Sequence, residues 1–127
     1  MIKKYSGFLL AMALSGLSVS PVVYAHAILV KSVPEKETVI VASPDKVEVW
    51  FNDAVGRKYQ ALAVINAKGK RVDNHDVKQD ARDGAHLSAT LKPMEPGKYT
   101  VRYRVQSADG HILSGKYYFT LGSGEGQ

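Results

Sequence analysis

An all-β fold, an Ig-like Greek-key β-sandwich or barrel of about seven antiparallel strands, follows from three observations. Apolar and polar residues alternate with a period of two in several short windows. Turn residues separate those windows at regular intervals. No window sustains an apolar period of 3.6 residues.

Ala27 to Val33 is a short apolar strand closed by Pro34, which has no amide hydrogen to continue a ladder. Lys46 to Phe51 alternates, with Val47, Val49 and Phe51 on one face and Glu48 and Trp50 on the other. Tyr59 to Asn66 is a longer apolar run, and Ala67-Lys68-Gly69-Lys70 is a turn. Val72 to Ala85 is polar, carries four aspartates and is expected to be a mobile loop; its spacing departs from that of an EF-hand. His86 to Leu91 turns Leu87, Ala89 and Leu91 inward. Lys98 to Gln106 is the clearest strand: Tyr99, Val101, Tyr103 and Val105 share one face, and Thr100, Arg102 and Arg104 share the other. Ser107-Ala108-Asp109-Gly110 is a turn, and Ser114 to Leu121 closes the domain with Tyr117, Phe119 and Leu121 inward. Trp50 and the tyrosines are assigned to the packing of the sandwich or its rim.

The N-terminal segment has a different character. Lys3 and Lys4 precede an apolar stretch from Phe8 to Leu14, and Val23-Tyr24-Ala25 resembles a signal-peptidase site. As a membrane span the stretch is too short and is broken by Ser15, Gly16, Ser18, Ser20 and Pro21; a span needs roughly 20 mostly apolar residues. The expected organisation is a cleaved signal peptide over 1–25, one domain over 26–121 and a flexible tail over 122–127. The mature chain then has no membrane span. Cleavage removes Lys3 and Lys4 and lowers the formal charge from +5 to +3. Cations are interspersed with acids along the chain, which argues against nucleic acid and for a mixed solvated surface. The chain has no cysteine, so thiolate metal sites, thiol catalysis and disulfides are excluded.

Cleavage after Ala25 would make His26 the first residue, with an α-amine and a ring Nδ1 available for chelation. Asp109 and His111 flank Gly110, and in an extended segment residues two apart point the same way. Together they offer three nitrogens and a carboxylate, a set suited to tetragonal Cu(II), with zinc as the alternative. The bland reading of Asp109-Gly110 is a turn between strands. Asp53, at the end of the Val47–Phe51 strand, is a further candidate beside the metal, with a strand-end cap as its plain alternative. His75 and His86 are read as solvated. The mature chain has only Met94, which argues against a methionine-rich Cu(I) site.

The chain resembles the CopC family of periplasmic copper-binding proteins. The resemblance rests on Ala25-His26-Ala27, Ser32-Val33-Pro34, Ala42-Ser43-Pro44, Val47 to Asp53, Pro96-Gly97-Lys98-Tyr99-Thr100-Val101 and Ser107-Ala108-Asp109-Gly110-His111. It implies a small Greek-key β-sandwich with His26, Asp109 and His111 as Cu(II) ligands in a histidine brace, and Asp53 where many relatives have a glutamate near the metal. Ile28 stands where relatives often have histidine, and Asn52 replaces a usual serine. The missing methionine-rich loop implies a Cu(II)-only member. The implied role is periplasmic copper binding for tolerance, homeostasis or delivery to a CopD-type inner-membrane partner, without enzymatic activity. The alternatives are a histidine-brace copper monooxygenase and a metal-free adhesion or assembly module; a sandwich alone does not specify function.

Overall fold

A computed structural model describes residues 28–123. Eight strands run in the order β1 (Leu29–Val33), β2 (Thr38–Ile40), β3 (Lys46–Phe51), β4 (Ala61–Ile65), β5 (Lys78–Gln79), β6 (His86–Thr90), β7 (Gly97–Gln106) and β8 (Ile112–Leu121). They form two four-stranded sheets, one ordered β1-β3-β6-β5 and the other β2-β8-β7-β4. The expected sandwich is present, with two strands that the alternation does not reveal. β2 is only three residues long and pairs in parallel with β8, so the sandwich is not wholly antiparallel. β5 lies within the segment expected to be a mobile loop.

That segment is tied down more firmly than its composition suggests. Asp73 is fully buried and forms an isolated bridge with Leu91. Its carboxylate accepts hydrogen bonds from the Val64 amide at 2.9 Å, the His75 amide at 3.1 Å and the Arg71 guanidinium through two contacts of 2.9 Å. Burial pushes the Asp73 carboxyl up, but Arg71 and the two amides outweigh it, and the net pKa lies below the usual carboxylate value.

Alternation places the core as expected. Val47, Val49 and Phe51 of the first sheet face Val101, Val105 and Phe119 of the second, all buried. Tyr99 stacks on Phe119 with ring centroids 5.5 Å apart. Tyr103 reaches Phe51 edge-on, also at 5.5 Å. The Tyr103 ring needs the space left by Gly115 across the ladder: a Cβ there would lie 2.2 Å from the Tyr103 hydroxyl. Gly122, expected to begin the tail, donates its amide to the Ile40 carbonyl at 2.7 Å.

One end of the sandwich gathers the start of β1, the end of β3, the end of β7 and the start of β8. Leu29 pairs with Phe51, and Gln106 pairs with Ile112. The β3–β4 loop joins them, because the Gly56 amide donates to the Gln106 carbonyl at 2.8 Å.

Candidate metal centre

At this end the β7–β8 connection is a tight turn. The Gly110 amide donates to the Ser107 carbonyl at 2.9 Å, and the Ser107 amide donates to the His111 carbonyl at 2.8 Å. Gly110 has φ +90°, which a side chain would strain. Asp109 and His111 meet here, with the His111 Nδ1 at 3.0 Å from the Asp109 Oδ2. Their meeting comes from the turn and not from an extended segment, since neither residue lies in a strand. The two readings of Asp109-Gly110, turn and ligand segment, are therefore compatible.

Ser107 is the residue that sequence reasoning did not assign a role. It is 3 % exposed, and its hydroxyl donates to the Asp109 Oδ1 in a very short contact. The same hydroxyl lies 3.3 Å from the His111 carbonyl, and the His111 amide reaches the Asp109 Oδ1 at 3.3 Å. The Ser107 hydroxyl first, and His111 after it, hold the Asp109 carboxyl well below the usual carboxylate range. Asp109 is thus an anion over the whole useful pH range and has no proton to lose before meeting a cation. The Asp109 carboxylate can only accept, so the His111 Nδ1 faces it as the donor, as in carboxylate–histidine pairs beside metals. The side chains are 29 % and 65 % exposed respectively, so solvent ions reach them.

Asp53 is exposed in the β3–β4 loop and accepts the Ala54 amide at 2.8 Å, the behaviour of a turn cap. Among the described residues, no three His, Asp or Glu side chains converge as a metal-holding group. Asp109 and His111 are a pair that needs further donors. His26 lies outside the described residues, as do the leader and positions 124–127. Asn52 has a role that composition does not announce. Its side-chain oxygen accepts the Ile28 amide at 2.8 Å and its amide donates to the Ile28 carbonyl at 2.9 Å. The first described residue is thereby clasped to the end of β3.

The other histidines are elsewhere. His86 is not simply solvated. Its ring stacks on Trp50 at 4.2 Å and its Nε2 contacts the Glu48 Oε1 at 3.0 Å, on the outer face of the first sheet. His75 is exposed, with φ +57°. Met94 is half-buried against the core on the connection entering β7. The Asp109–His111 turn lies at the far end of that ten-residue strand, about 30 Å away at strand rise.

The CopC domain model matches residues 29–122. Among curated proteins, the chain is 32 % identical over 105 residues to the copper transport protein CutJ of Bacillus subtilis (strain 168), covering 81 % of this chain and 19 % of that one. The chain thus spans about a fifth of that relative's length. It is 29 % identical to Protein YobA of Escherichia coli (strain K12), covering 81 % and 84 % of the two chains. It is 31 % identical to copper resistance protein C of Escherichia coli, covering 76 % and 82 %. Among solved structures, CopC from Methylosinus trichosporium OB3b superposes with a TM-score of 0.71 at 33 % identity, covering 76 % of this chain and 94 % of that one. PcoC, a methionine-rich copper resistance protein from Escherichia coli, gives 0.65 at 26 %, covering 76 % and 99 %.

Proposed function

This chain belongs to the CopC family, and on that premise we propose that it holds Cu(II) as cargo, for copper tolerance or transport, at the turn that carries Asp109 and His111. The observation that carries the reading is the Asp109–His111 pair itself. A permanently ionised carboxylate sits beside an imidazole whose orientation it fixes, at an exposed end of the sandwich. Such a pair is half of a tetragonal N/O site, and borderline nitrogen with carboxylate oxygen suits Cu(II) better than Cu(I). Met94, on the connection at the other end of β7, supports a site without thioether ligands.

The remaining donors in this reading are the α-amine and ring of His26, exposed by removal of residues 1–25 in the periplasm. The clasp of Ile28 on Asn52 supports it, because it anchors the chain two residues after His26 at the end of the sandwich that bears the turn. Asp53 serves there as a neighbouring carboxylate, and a CopD-type inner-membrane protein is the partner for release. Copper is carried and not turned over, since Asp109 and His111 with the two donors of His26 fill the coordination plane, whereas catalytic metal sites keep an open position.

Copper titration of two preparations tests the reading. Protein beginning at His26 is expected to bind one Cu(II) tightly, and protein with one extra residue before it much more weakly; equal affinities remove the amine from the site. His111→Ala is expected to abolish tight binding and His86→Ala to leave it within a few-fold, and the reverse order would transfer the site to the wrong histidine. An α-amine has a pKa of about 7.7–8.0 and must lose its proton to bind, so affinity falls as the medium acidifies.

A further inference from the structure

The outer face of the second sheet is built unlike the rest of the molecule. Its strands carry Lys98, Arg102, Arg104 and Lys116 and not one acidic residue. Ladder register puts these cations on the face away from the core, opposite the buried Tyr99, Val101 and Val105. Arg102 stands directly across from Lys116, a like-charge pairing that costs stability. Among the described residues none of the four takes part in an ion pair. Lys98 lies over the Tyr118 ring at 4.4 Å. The neutral positions among them on β7 and β8 are Thr100, Ser114, Tyr118 and Thr120, and the flanking strands add Ala61, Ala63 and Ile65 from β4 and Val39 from β2, exposed at 69 %.

The first sheet also carries cations, Lys31, Lys46 and Lys78, but it mixes them with acids. Asp45, Glu48, Asp53, Asp76, Asp80 and Asp83 fall on the first sheet or its connections, while Glu37, just before β2, borders the second sheet beside Tyr118 and Asp109 lies in its β7–β8 turn. At the end opposite the Asp109–His111 turn the basic surface continues. A groove of about 470 Å³ lined by Lys98, Arg102 and Lys116 shares Asn66, Ala67 and Lys98 with a second of about 550 Å³. The second adds Lys68, Lys70 and Lys92, with Glu95 as its one acidic lining residue.

We propose that this face docks on an anionic phospholipid bilayer. Charge complementarity requires a polyanion, and the shape of the face selects among polyanions. The four cations lie on one open sheet face, so they approach a common plane. Opposed cations such as Arg102 and Lys116 suit a dense layer of headgroup phosphates better than isolated carboxylates. Tyr118 and the exposed Val39 provide the amphipathic and apolar contacts that settle at a lipid–water interface.

Vesicle flotation of the protein expressed with its own N-terminal segment tests the proposal. Vesicles of phosphatidylcholine alone are compared with vesicles containing about 30 % phosphatidylglycerol, at low and raised salt. The expected result is binding that needs the anionic lipid and is lost in salt. Arg102→Gln/Lys116→Gln is expected to weaken the anionic-lipid component roughly tenfold or more, while Lys46→Gln/Lys78→Gln on the other sheet changes it less than twofold. The first variant removes an opposed like-charge pair and so keeps the fold. Equal losses in the two variants would reduce the effect to net charge and overturn the proposal. Absence of any preference for phosphatidylglycerol would overturn it too. Tighter binding to polyglutamate than to the anionic vesicles would assign the face to an acidic protein partner instead.

Discussion

The buried hydroxyl of Ser107 holds the acidic side chain of the Asp109–His111 turn in place, and its removal separates positioning from the proposed ligation. Ser107→Ala leaves Asp109 and His111 present but takes away the donor that fixes Asp109 Oδ1. Outer contacts of this kind are worth about 10–100-fold in metal affinity. Ser107→Ala is therefore expected to weaken Cu(II) by that range in a competition titration, at a stability cost of only about 1 kcal/mol. Ser107→Thr, which keeps the hydroxyl, is expected to recover most of the affinity. An unchanged affinity in the alanine variant would show that Asp109 holds its position without Ser107. The pairing of Asp109 with His111 is expected from the alignment of residues two apart in an extended segment, whereas the tight turn through Gly110 brings it about. The part of Ser107 was not legible in the sequence, because a serine before Asp-Gly has the same appearance in any turn. Only the closure of Ser107 onto the His111 carbonyl buries its hydroxyl between the two.

Among the elements, those with five or more alternating residues were legible and the shortest were not. β3, β6, β7 and β8 carry enough buried positions to display their period. Thr38-Val39-Ile40 is too short to show one, and its pairing with β8 is a long-range event. The stretch around β5 misleads for a different reason. Asp73 adds polarity to the sequence, yet its charge is neutralised by Arg71 and its oxygens are satisfied by amides brought in by β4 and the following loop. Asp73→Ala strips partners from the Val64 and His75 amides and from Arg71, and is expected to destabilise the fold by about 2–4 kcal/mol in denaturant unfolding. Because the folded pKa of Asp73 is lowered, its contribution is fully present above the unfolded value of about 3.9 and disappears as pH falls through the folded value. Asp73→Asn should accordingly flatten the loss of stability between pH 4 and lower pH, relative to the parent chain.

As a whole molecule, the sandwich closes its core between the two sheets without using the Asp109–His111 turn. Asp109 and His111 are exposed, while the fifteen core residues among those described lie between the sheets. Metal-free protein is therefore expected to keep its β-sheet circular dichroism, and copper to raise the melting temperature by mass action in proportion to its occupancy. Collapse of the sheet signal on chelation would instead make the metal a structural part of the fold. The Ile28–Asn52 clasp has a further consequence, one of confinement. A residue two positions before Ile28 cannot place its Cα more than about 7 Å from that of Ile28. A group leashed within such a radius stays at that end of the sandwich at an effective concentration far above that of a free ligand in solution. Under the proposed ligation by His26, its return after each transient detachment would outpace escape of the ion, so the clasp would act on residence time. Loosening it, as by Asn52→Ala, would speed copper exchange while every ligand remained in the chain.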